Sequence, residues 1–315
     1  MNKVVLAPQG FKESLTGMEI AEAMSIGVKS IWPDAQTVLI PVADGGDGTL
    51  QALVDSSGGE VRTAMAEDAI GRTIEAEWGA LGNGTTAVIE VANAIGLARL
   101  EQEERDVRNA STFGVGQLFI EALDAGFSDF IIGVGGSATN DGGAGMIQAM
   151  GGKLTNANGD EIARGGIALS DLANIDVSGL DPRMVGANVV VACDVNNPLC
   201  GTRGASAVFG PQKGATYKDI QELDVALGNF AEIIAKDLHT DVAKIPGAGA
   251  SGGLGAGLMG FVDARLRLGA DIVLEALSLD KHLEDADLVI VGEGQFDRST
   301  VFNKSPVAVA QRAKR

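Results

Sequence analysis

The two side chains that anchor most metal and redox sites are almost missing from this sequence, which has two histidines, His239 and His282, and two cysteines, Cys193 and Cys200. They are too few, and too poorly spaced, for a disulfide framework, a zinc site or a Ser-His-Asp triad. No run approaches the roughly 18 apolar residues of a membrane-spanning helix. The opening MNKVVLAPQG carries too short an apolar stretch for a secretory signal. Cations are also scarce: 24 Lys and Arg stand against 42 Asp and Glu, a net charge of −18. That balance leaves no basic footprint for nucleic acid or an anionic membrane, so neither is expected as a partner. An anionic substrate would have to be met by locally placed cations against the overall field. A cytoplasmic protein is expected.

Glycine is abundant, at 44 residues. With no three-residue period, the excess belongs in turns and in loops that approach a ligand closely. At 315 residues the chain exceeds what one core comfortably supports, so two domains are expected. Short β-branched runs alternate with helical patterns, the sign of an α/β protein with parallel strands and crossover helices. Strands are predicted at 4–7, 38–42, 130–134, 189–193 and 288–291, with a weaker, polar strand-like stretch over 60–90. Thr16 and Glu19 form a capping box opening a helix to Ile31. A helix over 112–125 ends at Gly126, a natural left-handed cap. Another runs from Tyr217 to Leu238, and Ser305-Pro306 opens a last one.

At 38–49, 130–145, 189–198 and 288–297 a strand feeds a loop carrying glycine with Asp, Asn or Glu. Ligands in open α/β sheets sit beyond the carboxyl ends of strands, so these four loops are expected to converge on one cleft. Glycine loops offer backbone N–H groups to phosphates. Asp44, Asp47, Asp141, Asp194, Glu293 and Asp297 offer the hard oxygens that suit Mg2+. Lys12, Lys213 and Lys304 stand beside turn or cap residues from which a lysine can reach a cleft. Donors, cations and carboxylates are what phosphoryl transfer needs. No Walker-type phosphate loop and no protein-kinase His-Arg-Asp is present. Asp-Gly pairs are also ordinary turns, and GVGGSA and GAGASGG could equally be close-packed helix–sheet turns.

APQGFKESLTG (7–17), ADGGDGT (43–49), GGSATNDGGAGM (135–146), ACDVNNPLCG (192–201), FGPQKGA (209–215), GAGASGGLGAG (247–257) and GEGQFDRST (292–300) resemble, in that order, the motifs of the bacterial type-1 glycerate kinases. The resemblance implies two α/β domains with a cleft between them, one of flavodoxin-like or Rossmann-like parallel-sheet type. The predicted division is 1–60 with 276–315, and an inserted 61–275. It implies ATP as co-substrate, glycerate as the small-molecule substrate and Mg2+ as cofactor, with 2-phosphoglycerate the favoured product; a monomer and a homodimer both remain open. On that reading Asp194, Lys12 and Lys213 are catalytic. Ser14, Gly135, Gly136, Ser137, Thr139, Asn140, Asp141, Gly249, Gly252 and Lys304 contact substrate or nucleotide. Asp44, Asp47, Glu293 and Asp297 hold the metal. The sequence departs from the family pattern at Gln9 and Gly10, where Asp-Ser is usual, and it ends at Arg315 where family members continue through a further strand and helix. A catalytically inactive glycerate- or nucleotide-binding relative is the alternative, and a nicotinamide-dependent dehydrogenase, suggested by Gly247-x-Gly249-x-x-Gly252, a second one.

Overall fold

In a computed structural model of the chain, residues 1–11, 14–43, 48–295 and 305–314 are described. The first strand, β1 (Lys3–Pro8), runs parallel to both of its neighbours, β2 (Gln36–Leu39) and the last strand, β11 (Leu288–Gly292). From Val4 onward its sequence is apolar without a break, as suits a strand buried on both faces. Val4 and Leu6 pack with Val28 and Ala35 beneath the helix Gly17–Ile31. Val5 and Ala7 face the other way, onto Leu50, Leu53, Val273 and Val309. The predicted capping box is present: the Thr16 hydroxyl accepts the Glu19 amide at 3.2 Å, and the Glu19 carboxylate accepts the Thr16 amide at 2.8 Å. β2 ends three residues short of its predicted end, yet the Ile40 and Val42 amides still donate to Leu6 O (2.8 Å) and Pro8 O (2.9 Å) of β1; Pro41, between them, turns its nitrogen to the open edge of the sheet, where a missing N–H costs no bond to β1.

The second sheet has six strands. β3 (Glu60–Glu67), β4 (Thr73–Ala80) and β5 (Thr86–Glu90) occupy the polar strand-like stretch and pair antiparallel. β6 (Asp129–Gly133) continues parallel to β5, followed by β9 (Asn188–Ala192) and β10 (Arg265–Arg267), giving the order β10-β9-β6-β5-β4-β3. A small antiparallel ribbon, β7 (Lys153–Thr155) with β8 (Asn174–Asp176), stands apart. The fold is therefore mixed α/β with parallel pairing dominant.

Alternation along the central strands places two cores on the six-stranded sheet. Ile89, Phe130, Ile132, Val189 and Val191 pack with Phe119, Met146, Phe230 and Leu254. Val88, Ile131 and Ala192 point to the opposite face and share a cluster with Val5 and Ala7 of the other sheet, through the helices Thr49–Ser57 and Gly269–Ala276. At about 1.5–3 kcal/mol for each fully buried large aliphatic or aromatic side chain, these layers fix the loops that leave the strands. The helix Phe113–Asp124 ends at Gly126 with φ 90°, and the helix Tyr217–Leu238 opens on a Thr216–Asp219 capping box. Among the described residues no helix is long and apolar enough to cross a membrane, and β11 pairs with β1 alone.

Candidate active site

The adjacency of β6 and β9, in register with Gly133 opposite Ala192, makes their outgoing loops neighbours. Between them lies a cavity of about 260 Å³ lined by Gly135, Gly136, Ser137, Asp194, Lys213 and Ser251, among others. Ser137 is held by its backbone: it bridges Gly96, and the next amide, of Ala138, donates to Ile95 O at 2.8 Å. Asp194 follows β9, is exposed, and accepts the Gly269 amide on Oδ1 at 2.9 Å. That bond sets its carboxylate at the positive end of the helix Gly269–Ala276.

Lys213 comes from the Gly210–Gly214 turn and is 2% exposed. Its Nζ donates to Ser137 Oγ at 3.1 Å and to Thr139 O at 2.6 Å. Burial pulls its ammonium down to about 7, with the nearby Asp141 charge opposing that shift. Cys193 also lines the cavity; burial raises its thiol, which donates to Val195 O at 3.4 Å.

Asp141, expected to meet the ligand, is fully buried and turned towards Thr112 and the glycines of its own loop. It accepts from the Thr112 amide (2.8 Å), the Thr112 hydroxyl (2.9 Å) and the amides of Gly143 and Gly145 (both 3.2 Å). Burial raises its carboxyl, while these four donors pull the other way. Thr139 and Asn140 are likewise fully buried; Asn140 Nδ2 donates to Ser206 Oγ at 3.0 Å. None of the three lines the cavity; Thr139 reaches it indirectly, through the carbonyl that accepts from Lys213.

Gly249 and Gly252 pack against protein backbone. A Cβ on Gly249 would lie 2.3 Å from Pro198 O, and one on Gly252 would lie 2.0 Å from Thr139 O. The segment 239–246 leading into Gly247 is not a strand, so the strand–turn–helix of a dinucleotide site is absent there. The start of the helix Ala250–Val262 is left-handed at Ser251 (φ 54°), Gly252 (φ 67°) and Gly253 (φ 90°). For Ser251 this costs about 1–3 kcal/mol, and its buried Oγ has no hydrogen-bond partner. Ser251 lines the cavity, and its signal in the sequence is a lone hydroxyl in the glycine run 247–257.

Of the four glycine–acid loops, the described parts leave from two places, β6 with β9 and β2 with β11. Those after β6 and β9 share the cavity above. At the carboxyl ends of β1 and β2 a second cavity, of about 490 Å³, is lined by Gln9, Gly10, Ser14, Gly48 and other residues. The β11 loop approaches β1: the Gln9 amide donates to Gly292 O at 2.8 Å, and Glu293 comes next in the chain. Lys12, Asp44, Asp47, Asp297 and Lys304 lie outside the described residues. Among those described, no group of three or more His, Cys, Asp or Glu could hold a metal.

Residues 4–315 match the model of the glycerate kinase family. The chain is 50% identical over 313 residues to the glycerate 2-kinase of Escherichia coli K12, covering 99% of this chain and 82% of that one. It is 51% identical over 314 residues to the glycerate kinase of Halalkalibacterium halodurans, covering 100% and 83%. A solved structure assigned as glycerate kinase 2 of Salmonella typhimurium LT2 superposes with a TM-score of 0.95 at 49% identity, covering 100% of this chain and 84% of that one.

Proposed function

The chain belongs to the glycerate kinase family and is a kinase, and from that premise we propose that it transfers the γ-phosphoryl group of ATP to the 2-hydroxyl of glycerate, with the acid seated in the cavity between the β6 and β9 loops. The observation that carries this assignment is the pairing, in that one small cavity, of an exposed carboxylate locked by a helix amide (Asp194) with the buried Ser137–Lys213 pair. The carboxylate orients the attacking hydroxyl and takes its proton. The Gly135–Ser137 segment supplies donors to anionic oxygen. The cavity suits a three-carbon acid and is too small for a nucleotide as well. That leaves ATP to approach from elsewhere, and the larger cavity lined by Ser14 is the candidate.

Mg2+ usually binds kinase sites through one or two carboxylates together with substrate phosphates. Separate carboxylates fit that mode better than an all-protein cage, and we assign Asp44, Asp47, Glu293 and Asp297 as candidates to hold it. Once bound, the ion would offset phosphate charge that the net −18 chain otherwise repels. Separate three- and six-stranded sheets support reading residues 1–60 with 276–315 as one domain and 61–275 as another.

A coupled ADP-release assay with D-glycerate, followed by product identification, tests the assignment. Mg2+-dependent ADP release yielding 2-phosphoglycerate is expected. Formation of the 3-phosphate would refute the regiochemistry, and absence of glycerate-stimulated ADP release would refute the activity.

A further inference from the structure

Lys213 has the chemistry of a phosphate-neutralising cation but not the placement of one. Its side chain is 2% exposed, and two of its three ammonium hydrogens are committed to the turn at 137–139, on Ser137 Oγ at 3.1 Å and Thr139 O at 2.6 Å. Both partners are themselves fixed. The Ser137 backbone is pinned to Gly96, and the Ala138 and Leu97 amides donate across the same contact to Ile95 O and Gly136 O, each at 2.8 Å. The lysine is seated on a short turn that Gly214 closes at φ 92°. Neither end of the Lys213–Ser137 bond can move far.

We propose that Lys213 is a positioning residue that acts through Ser137: by occupying a lone pair of Ser137 Oγ, the ammonium turns the hydroxyl hydrogen away from itself and into the cavity, where it donates to the carboxylate of glycerate. A hydroxyl can donate or accept and rotates to suit its neighbours. An ammonium is donor-only, so its presence settles the direction. The proposal rests on the kinase reading of this cavity and adds the group that selects an acid.

Removing the proton from Lys213 would reverse the arrangement, because a neutral amine can accept the Ser137 hydrogen and draw it out of the cavity. The charged and titratable groups around the lysine are Asp141, which favours its charged form, Asp194 and Cys193 in the same cavity, and Arg105, whose guanidinium donates to the neighbouring Gln212 O at 3.2 Å.

Steady-state kinetics of Ser137→Ala, Lys213→Met and the double variant, with glycerate and ATP varied separately, test the role. Each single change should raise KM for glycerate about tenfold, the scale of one charge-assisted hydrogen bond, with KM for ATP nearly unchanged. The double variant should be no worse than either single one, as expected for two groups acting in series. Wild-type KM for glycerate should rise as pH passes upward through neutrality, and that rise should vanish in Ser137→Ala. Melting curves report whether Lys213→Met folds; if it does not, Ser137→Ala and its pH profile decide alone. Additive losses, a Lys213→Met defect in KM for ATP, or an unchanged pH profile in Ser137→Ala would overturn the proposal. A wild-type enzyme with no glycerate-dependent ADP release would instead remove the kinase reading and this role with it.

Discussion

Asp194 Oδ1 accepts the backbone amide of Gly269 at 2.9 Å, joining the loop after β9 to the start of the helix Gly269–Ala276. Replacement by Asn keeps an oxygen for that bond but removes the base. Asp194→Asn should therefore melt within about 1 kcal/mol of wild type while losing about a hundredfold or more in kcat. Near-normal turnover in the folded variant would exclude Asp194 from proton transfer.

Two glycines make opposite demands. Gly252, at φ 67° with Thr139 O 2.0 Å from any added Cβ, has no room; Gly252→Ala should cost about 3 kcal/mol or more and disturb the Thr139 turn that receives Lys213. Gly228 lies inside the helix Tyr217–Leu238 with nothing within 4 Å of an added Cβ. Gly228→Ala should stabilise by about 0.5–1 kcal/mol. Chemical denaturation of both variants checks the pair, and similar effects from the two would contradict the packing described.

Lys213 also leaves a mark on stability. Its folded-state value of about 7 lies below the ordinary lysine value of 10.5. Between those pH values the unfolded chain holds a proton that the folded protein lacks, so raising the pH favours folding. Melting temperature should accordingly climb from pH 7 towards 10.5 more steeply in wild type than in Lys213→Met. Parallel curves would show that the buried amine does not titrate in this window.

ATP should stabilise the protein weakly alone and strongly with Mg2+, because unscreened carboxylates repel phosphates. Thermal-shift measurements at matched ATP, with and without Mg2+, make the comparison. Equal shifts would contradict a metal role for Asp44, Asp47, Glu293 and Asp297.

Local chemistry was readable from the chain. The Thr16–Glu19 capping box, the Gly126 cap and the placement of Asp194 just past a strand each depend on residues a few positions apart, and each is present. What escaped was long-range. Asp141 reads as a ligand because a polar Asp-Gly-Gly loop looks the same whether its carboxylate faces solvent or is claimed by Thr112. Gly249 and Gly252 match a phosphate cradle as well as they match a close backbone approach, and the loops they press against, at Pro198 and Thr139, are distant in sequence. Sheet order likewise has no local signature: nothing near β9 or β11 in the chain says that the first lies beside β6 and the second beside β1.

The four hydrogen bonds that Asp141 accepts have a consequence on the timescale of solvent exchange. Three of the donors are backbone amides, of Thr112, Gly143 and Gly145, and all belong to fully or largely buried residues where two helices begin. Their deuterium uptake should be among the slowest in the protein, governed by global opening rather than local fraying. Slow exchange there would mean that the β6 loop is held in one shape from beneath before any substrate arrives.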